Sequence, residues 1–208
     1  MPWYHPDMAK PYRGSPILEL RRAQEHMKDI AAVLESLKRQ FGEEGIVFAV
    51  IGATAVGRHG HFRHTEDLDI LTTPEGLARI HERFAGRGIN PRAAGLRKKL
   101  IESEHQVPID VITSGEKAGG EGSPIIYPDP GGPGFVEFEG VRYPTLERLI
   151  EFKLASHMWG HRLHDAGDVQ RLIQANGLGE PFVANLHPDL RPKFLEILDL
   201  ARREKDIE

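Results

Sequence analysis

Residues 50–71 read VIGATAVGRHGHFRHTEDLDIL, and this stretch decides the fold. It begins at the end of an apolar run, residues 46–51, which is typical of a central strand buried on both faces. Gly52 breaks the run, and a short helix is predicted over residues 53–58. Small residues at this turn, Gly52 and Ala53, let a phosphate approach the backbone, and N–H groups at a helix start can bind an anion.

A second strand is predicted over residues 66–72, and it carries two aspartates. Because successive side chains of a strand point to opposite faces, Asp67 and Asp69 emerge on the same side. Leu68 and Ile70 anchor the strand in the core from the other side. Two carboxylates this close repel unless positive charge lies between them, and a hard divalent cation with oxygen ligands supplies that charge.

A third carboxylate would let the same site hold two ions about 3.5–4 Å apart. Asp110 is the best candidate, in a strand predicted over residues 107–113. It is flanked by Ile109 and Val111, where an unpaired charge is costly. A structural, hydrogen-bonded aspartate is the alternative for Asp110, and a solvated strand end is the alternative for the pair before it.

Further elements follow from periodicity and from turn residues. A first helix is predicted to begin at Ser15 and Pro16, an N-cap followed by a proline at the first helical position. Apolar residues recur on one face of this helix: Leu20, Ala23, Met27, Ile30, Leu34, Leu37 and Phe41. Helices are also predicted over residues 74–85, from Thr145, over 165–175 and over 188–203. A strand is predicted over residues 95–101, and a short strand or hairpin from Phe135. Residues 115–134 are rich in Gly and Pro and predict a loop, with a mobile flap as a hypothesis.

This order of elements predicts three parts. Residues 1–15 form an N-terminal arm, residues 16–143 an α/β core, and residues 144–208 a helical extension. The fold class is α/β (α+β), with a small mixed sheet flanked by helices. A length of 208 residues suits one such domain with an extension.

Composition excludes several classes of protein. The chain has no cysteine, so disulfides and thiolate metal sites are excluded. No apolar run reaches the roughly 20 residues that a membrane helix needs, and the N-terminus lacks the apolar segment of a secretory signal. We therefore expect no membrane partner and a cytoplasmic location. A net charge of −4 provides no global basic field for nucleic acid, although a local basic groove stays open.

The combination of Gly52-Ala53, Asp67-x-Asp69 and a later strand aspartate resembles the nucleotidyltransferases of the DNA polymerase β superfamily. The wider string, Gly-Ala-Thr-Ala-x-x-x-x-His-Gly-x-x-Arg-x-Thr-x-Asp-Leu-Asp, looks like the branch of AbiEii-type toxin nucleotidyltransferases. The resemblance implies that Gly52 and Ala53 face the triphosphate and that Asp67 and Asp69 bind the metals. It also implies that Asp110 completes the metal site and acts as the base.

A weaker match covers the helical extension. Lys153 is followed by Arg162, Asp165 and Asp168, which resembles that branch's helix lysine and Arg-x-x-Asp-x-x-Asp motif. The resemblance implies that Lys153 contacts a nucleotide phosphate; a surface lysine is the alternative. The pattern departs from the branch where His164 stands in place of a more usual lysine.

Two further residues of the wider string are candidates for nucleotide binding. Arg63 and Thr65 precede the aspartate pair, and the alternative is that they shape the turn there. Ala53 is a second departure, because it replaces a more usual glycine or serine and lacks a hydroxyl for phosphate.

The sequence thus predicts a nucleotidyltransferase dependent on Mg²⁺ or Mn²⁺. It would move a nucleoside monophosphate from an NTP to a hydroxyl of RNA or protein. A toxin-like role with an antitoxin partner is implied by the resemblance alone. The alternatives are a nucleotide-binding module of the same fold without transfer activity and a metal-dependent phosphohydrolase that uses the same carboxylates.

Two other groups of side chains have competing interpretations. Histidines recur at residues 59, 61 and 64 and again at 157, 161 and 164, but no glutamate follows in a zinc-hydrolase arrangement, so a cleft lining or a solvated face is favoured over zinc. Basic residues cluster near the predicted strand 95–101. This group consists of Arg92, Arg97, Lys98 and Lys99. It has two possible interpretations: a solvated edge strand, or a phosphate-binding patch for an RNA acceptor.

Overall fold

The computed structural model describes residues 16–205, with side chains for residues 21–204. The predicted arm over residues 1–15, the cap at Ser15 and the side chain of Leu20 lie outside the described residues. The helices are α1 (Pro16–Glu43), α2 (Gly52–Arg58), α3 (Pro74–Phe84), α4 (Leu146–Gly160), α5 (Leu163–Asn176) and α6 (Arg191–Lys205). The strands are β1 (Phe48–Val50), β2 (Leu68–Thr72), β3 (Ile89–Pro91), β4 (Lys99–Glu102), β5 (Pro108–Thr113), β6 (Phe135–Phe138) and β7 (Val141–Pro144).

All seven strands form one mixed sheet in the order β3-β4-β5-β2-β1-β7-β6. β2 is antiparallel to β1 and parallel to β5, and β1 is parallel to β7. The outer pairs β3–β4, β4–β5 and β6–β7 are antiparallel. The predicted α/β class with a mixed sheet and flanking helices is therefore confirmed, and the central position of β2 makes it a rigid support.

Helix α1 places its apolar stripe against the sheet, as its periodicity predicts. Ile30, Leu37 and Phe41 are almost fully buried. The helix ends in a glycine cap, since Gly45 has φ +65° and the Ile46 N–H donates to the Phe41 carbonyl at 2.8 Å. That bond spans the last turn and satisfies a carbonyl that would otherwise have no partner in the helix.

Three strand predictions need correction, and one strand was not predicted. The first strand is shorter than residues 46–51, because Val47 is exposed and pairing starts at Phe48. β2 starts at Leu68, so Asp67 precedes the strand. β4 starts at Lys99, after a turn that takes up residues 95–98. β3 was not predicted, because three residues that end in proline have neither the length nor the alternation that indicates a strand.

Helices α4, α5 and α6 follow β7 and pack on one another in chain order. Thr145 caps α4, with its hydroxyl accepting from the Arg148 N–H at 3.4 Å. Every residue from Leu149 to Ala155 is buried, so the middle of α4 lies inside the protein. The helix ends at Gly160, and the residue that follows, His161, has a left-handed backbone with φ +54°. Among the described helices, none is long and apolar enough to cross a membrane.

The Gly- and Pro-rich loop over residues 115–134 has no regular helix or long strand, as predicted. It is nevertheless held against the core, because Tyr127 is buried and exchanges backbone hydrogen bonds with Gly115 and Glu116, next to a single β-bridge between Lys117 and Ile126. Gly119 lies so close to α4 that a Cβ on it would be 2.3 Å from the Ala155 carbonyl oxygen. The hypothesis of a mobile flap finds no support in this packing.

Phe41→Ala tests the junction of α1 with the sheet. The Phe41 ring lies 5.3 Å from the Phe48 ring and 5.5 Å from the Phe84 ring, between centroids. We expect its removal to lower the free energy of unfolding by about 3–5 kcal/mol, because a buried ring is replaced by a cavity. Urea denaturation measures the change. Phe62→Ala, at a ring that is 71% exposed, is the matched control and should change stability by less than about 0.5 kcal/mol.

Candidate active site

Three carboxylates meet where β2 and β5 run side by side. The parallel register places Asp69 directly opposite Asp110. Asp67 joins them from the bend before β2, and one carboxylate oxygen of each residue lies within 4.8 Å of the others. The three predicted aspartates are thus brought together, although only two of them belong to strands.

The segment that carries Asp67 and Asp69 is fixed from both sides. Leu68 and Ile70 are fully buried on the core face of β2. On the other side, the buried Thr65 hydroxyl donates to the Asp67 carboxylate at 2.9 Å. Thr65 therefore orients an acidic side chain, in agreement with the turn-shaping alternative, and its predicted contact with a nucleotide stays a prediction.

Gly52 lies directly against the carboxylate of Asp69. Its φ is +64°, and a Cβ built on it would come within 1.9 Å of the Asp69 Oδ2 atom. The adjoining Ile51 N–H donates to the Asp69 carbonyl at 3.0 Å, which ties the end of β1 to β2. Only glycine fits this position, both for its backbone conformation and for the space available.

A cavity of about 520 Å³ opens in front of Asp67 and Asp69. Its lining also includes Gly52, Ala53 and Lys153, all of which were predicted to bind nucleotide. One wall is apolar and aromatic, with the Tyr127 and Phe152 rings 4.6 Å apart between centroids. The remaining lining residues are Ile51, Arg63, His64, Thr65, Glu66, Ile112, Leu149, Ser156, Arg162, His164 and Asp165.

The carboxylates destabilise one another electrostatically. Burial raises the pKa of Asp69 to about 6, and the negative charges of Asp67 and Asp110 add to that rise. Lys153 and Arg162 act in the opposite direction without reversing it. A site that holds its central carboxylate above its ordinary pKa favours a bound cation, because a cation removes the repulsion between the charges.

The donor set fits a divalent metal ion. It offers only oxygen atoms, which Mg²⁺ and Mn²⁺ prefer, and the three groups are close enough to share an ion. The Asp110 Oδ1 atom is buried and has no hydrogen-bond partner among the described residues. Such an atom has unused capacity as a ligand.

Asp110 differs from the other two aspartates in its neighbours. Its carboxylate forms an ion pair with Lys99, and the Arg92 guanidinium lies 3.7 Å from it. It does not line the cavity that Asp67 and Asp69 face. The contacts of Lys99 and Arg92 with Asp110 were not predicted, because they depend on the register of β4 against β5 and on the pairing of β3 with β4.

Lys153 is not a surface lysine, since its side chain is 8% exposed. Its ammonium donates to Asp165 at 2.8 Å and lies 2.7 Å from Asp168. Asp165 also lies 3.5 Å from Arg162. The residues of the weaker sequence match therefore form one ion-pair cluster, and of the three N–H donors of Lys153, one is left for a ligand.

Arg63 connects this cluster to the loop before β2. Two of its guanidinium nitrogens bind the Asp168 carboxylate, at 2.8 and 3.1 Å. Burial alone would raise the pKa of Asp168, but Arg63 and Lys153 together hold it below its ordinary value. A bidentate arginine pair of this kind fixes direction as well as distance, so α5 and the loop are held in one arrangement.

The six clustered histidines do not form a metal site within residues 16–205. His64 and His164 line the cavity, as the cleft interpretation predicted. His59 instead bonds the Pro144 carbonyl at 2.8 Å. The other cluster of potential ligands in the described chain joins Glu102, Glu104 and His105, whose carboxylate and imidazole already bond within their own turn.

Of the basic stretch near β4, only Lys99 lies on a strand, and β3 covers that strand on its outer side; Arg92 follows the edge strand β3. Lys98 pairs with Glu116 at 2.6 Å, while Lys99 and Arg92 turn to Asp110. Lys99 therefore lies on an inner strand and not on an edge strand, although its side chain is half exposed. A phosphate-binding role for the group stays a prediction.

Comparison with known proteins shows similarity at the level of structure. No family model and no curated protein matches the sequence. A solved antigenic nucleotidyltransferase-like protein from Paracoccidioides brasiliensis is similar with a TM-score of 0.53 at 14% identity, over 86% of this chain and 90% of that one. ANT(2'')-Ia, solved in complex with adenylyl-2''-tobramycin, is similar with a TM-score of 0.52 at 14% identity, over 79% of this chain and 96% of that one. These similarities confirm a nucleotidyltransferase-like fold; the AbiEii-type branch stays a prediction.

Gly52→Ala tests the contact between α2 and Asp69. The methyl group overlaps the Asp69 carboxylate and also forces a left-handed backbone on alanine. We expect the variant to unfold at a clearly lower temperature and to lose binding of Mn²⁺. Thermal denaturation and Mn²⁺ titration measure both effects. Gly167→Ala, within α5 where a Cβ meets nothing within 4 Å, is the control: it should bind Mn²⁺ like the parent and should be at least as stable, because alanine favours a helix over glycine.

Asp69→Asn tests the electrostatic cost of the cluster. Folded Asp69 keeps its proton to about pH 6, whereas its ordinary pKa is 3.8, so the folded state binds more protons in this interval and stability falls as pH rises through it. In chelator-treated protein, the free energy of unfolding of the variant should rise relative to that of the parent across this interval. The difference should reach roughly 3 kcal/mol above pH 6.

Urea denaturation at a series of pH values measures this gain. Glu121→Gln removes a carboxylate whose side chain is 99% exposed and is the control. A difference between Asp69→Asn and the parent that is the same at pH 4 and pH 7 contradicts the explanation.

Proposed function

We propose that the protein is a metal-dependent nucleotidyltransferase. It moves a nucleoside monophosphate from an NTP to a hydroxyl of RNA or protein, with release of pyrophosphate. The observation that carries the proposal is the convergence of Asp67, Asp69 and Asp110 beside a cavity of about 520 Å³ in a fold of this type. A cavity of this size suits a nucleotide.

Asp67, Asp69 and Asp110 would hold Mg²⁺ or Mn²⁺. A bound ion of this kind polarises a phosphoryl oxygen and neutralises the charge that develops during transfer. The protein supplies the rigidity, because Asp69 lies on a central strand and Thr65 orients Asp67. Asp110 is the proposed base for the attacking hydroxyl, a role that requires its carboxylate to leave the ion pair with Lys99.

The cavity also offers groups for the triphosphate. Gly52 and Ala53 line the cavity at the start of α2, where small residues let a phosphate approach the backbone. Lys153, Arg63 and Arg162 carry three positive charges against the two negative charges of their aspartate partners, so the cluster retains a net attraction for phosphate. The apolar wall with Tyr127 and Phe152 suits the nucleobase.

The acceptor and the biological role are the finer parts of the proposal. A toxin-like role with an antitoxin partner follows from the sequence resemblance to the AbiEii-type branch. ANT(2'')-Ia, one of the structural neighbours, was solved in complex with adenylyl-2''-tobramycin. A small-molecule hydroxyl is therefore a third class of acceptor for the assay, beside RNA and protein.

A nucleotide-binding module without transfer activity is the second candidate. The observations that favour it are Ala53, which offers no hydroxyl to phosphate, and the ion pairs that already engage Asp110 and Lys153. Such a module would bind an NTP with Mg²⁺ and transfer nothing. Calorimetry with each of the four Mg–NTP complexes, followed by label transfer to RNA, protein and small-molecule pools, separates the two candidates.

Asp67→Ala tests the transfer function directly. Loss of one ligand from the metal site should lower transfer from α-labelled NTP by about a thousandfold, because the charge on the transferred group is no longer stabilised. The melting temperature should stay near that of the parent, since Asp67 lies outside the strand and is partly exposed. Glu121→Ala is the surface control. Equal transfer by Asp67→Ala and the parent contradicts the mechanism.

A further inference from the structure

One cation of the protein itself already lies on the carboxylate cluster. Lys99 is the Cα partner of Asp110 in the antiparallel register of β4 and β5, so the two side chains emerge on the same face of the sheet. The Lys99 ammonium pairs with the Oδ2 atom of Asp110. This contact is therefore built into the strand pairing and does not depend on a chance surface rotamer.

A second cation supports the first. The Arg92 guanidinium lies 3.7 Å from Oδ1, the other oxygen of Asp110. The Arg92 N–H donates to the Lys99 carbonyl at 2.8 Å, which fixes the two basic residues relative to each other. Both oxygens of Asp110 thus face positive charge.

The other two carboxylates are different. Among the described residues, no lysine or arginine nitrogen lies within the 4.0 Å of an ion pair with Asp67 or Asp69. Both of these carboxylates face the cavity, whereas Asp110 does not. The cluster therefore divides into an open pair and a third carboxylate that an internal cation already neutralises.

We propose that Lys99 is an internal counter-cation that competes with a divalent ion for Asp110. One ion binds at Asp67 and Asp69 without an opposing cation, and an ion that also uses Asp110 binds against the positive charge of Lys99, which it must displace to take the Oδ2 atom. The inference rests on the proposed function only in that the three aspartates bind divalent cations. Lys99, a residue outside the wider string, would then control how tightly Asp110 binds a divalent ion.

The surroundings of Lys99 permit this exchange. Its side chain is 50% exposed, against 15% for Asp110, so the ammonium can rotate into water while its backbone stays paired in β4. A lysine has a long and flexible stem with a compact charge, which makes it a displaceable partner compared with a bidentate arginine. When a divalent ion displaces Lys99, Asp110 exchanges a partner of one positive charge for a partner of two. The larger charge also offsets the repulsion between Asp110 and Asp69.

The experiment measures binding of Mn²⁺ to the full chain without nucleotide. Electron paramagnetic resonance of free Mn²⁺ gives the number of bound ions and their affinities. In Lys99→Met, the affinity for the more weakly bound Mn²⁺ ion should increase by about tenfold. This is the effect of removing one positive charge at about 5 Å in a largely aqueous dielectric. Lys99→Arg keeps the charge and can bind Asp110 through two nitrogens, so its Mn²⁺ affinity should be no higher than that of the parent.

Lys98→Met is the matched control. Lys98 is the neighbouring lysine, is 43% exposed and pairs with Glu116, so its loss removes the same charge farther from the cluster. We expect its Mn²⁺ affinity to change far less than that of Lys99→Met. In the double variant Lys99→Met/Asp110→Asn the gain should disappear, because the carboxylate that Lys99 blocks is then absent.

Three results would overturn the inference. Unchanged Mn²⁺ binding in Lys99→Met shows that Lys99 does not compete, and an equal gain in Lys98→Met shows a general effect of net charge. Absence of Mn²⁺ binding in both the parent and Lys99→Met shows that the cluster holds no cation. A protein that binds Mn²⁺ as described but transfers no nucleotide retains the inference about Lys99 and loses only the transfer function.

Discussion

Parallel pairing of β2 with β5 sets Asp69 beside Asp110, and two carboxylates in a partly buried place repel each other. Several neighbouring residues accommodate or offset that repulsion. Gly52 gives the Asp69 side chain room that no other residue could leave. Lys99 supplies a positive charge at Asp110. The fold therefore maintains a concentration of negative charge that costs stability in the absence of a cation.

The sequence predicted the part of this arrangement that is local. The spacing of Asp67 and Asp69 around Leu68 placed two carboxylates on one side of a strand, and both do face the cavity. Asp110 needed more than spacing, because an aspartate in an apolar strand also fits a structural role. The resemblance to a known superfamily selected it, and the register of β2 and β5 places it at the cluster.

What could not be predicted depends on pairing between distant segments. Lys99 reaches Asp110 only through the register of β4 and β5, which a one-residue shift would reverse. Lys153 was expected at phosphate, or else on the surface, and it is buried between two aspartates of α5. Tyr127 gave no signal, because a loop rich in Gly and Pro carries no periodicity that marks one residue as part of a cavity wall.

The packing of Gly119 against the carbonyl of Ala155 has a consequence for how this loop can evolve. Irregular loops commonly accept substitutions and insertions, because few of their atoms are constrained. Here a single added methyl group would meet the backbone of a buried helix, and Tyr127 from the same loop forms part of the cavity wall. Drift in this segment should therefore be restricted as strongly as in the core, and length variation among related chains should be found elsewhere.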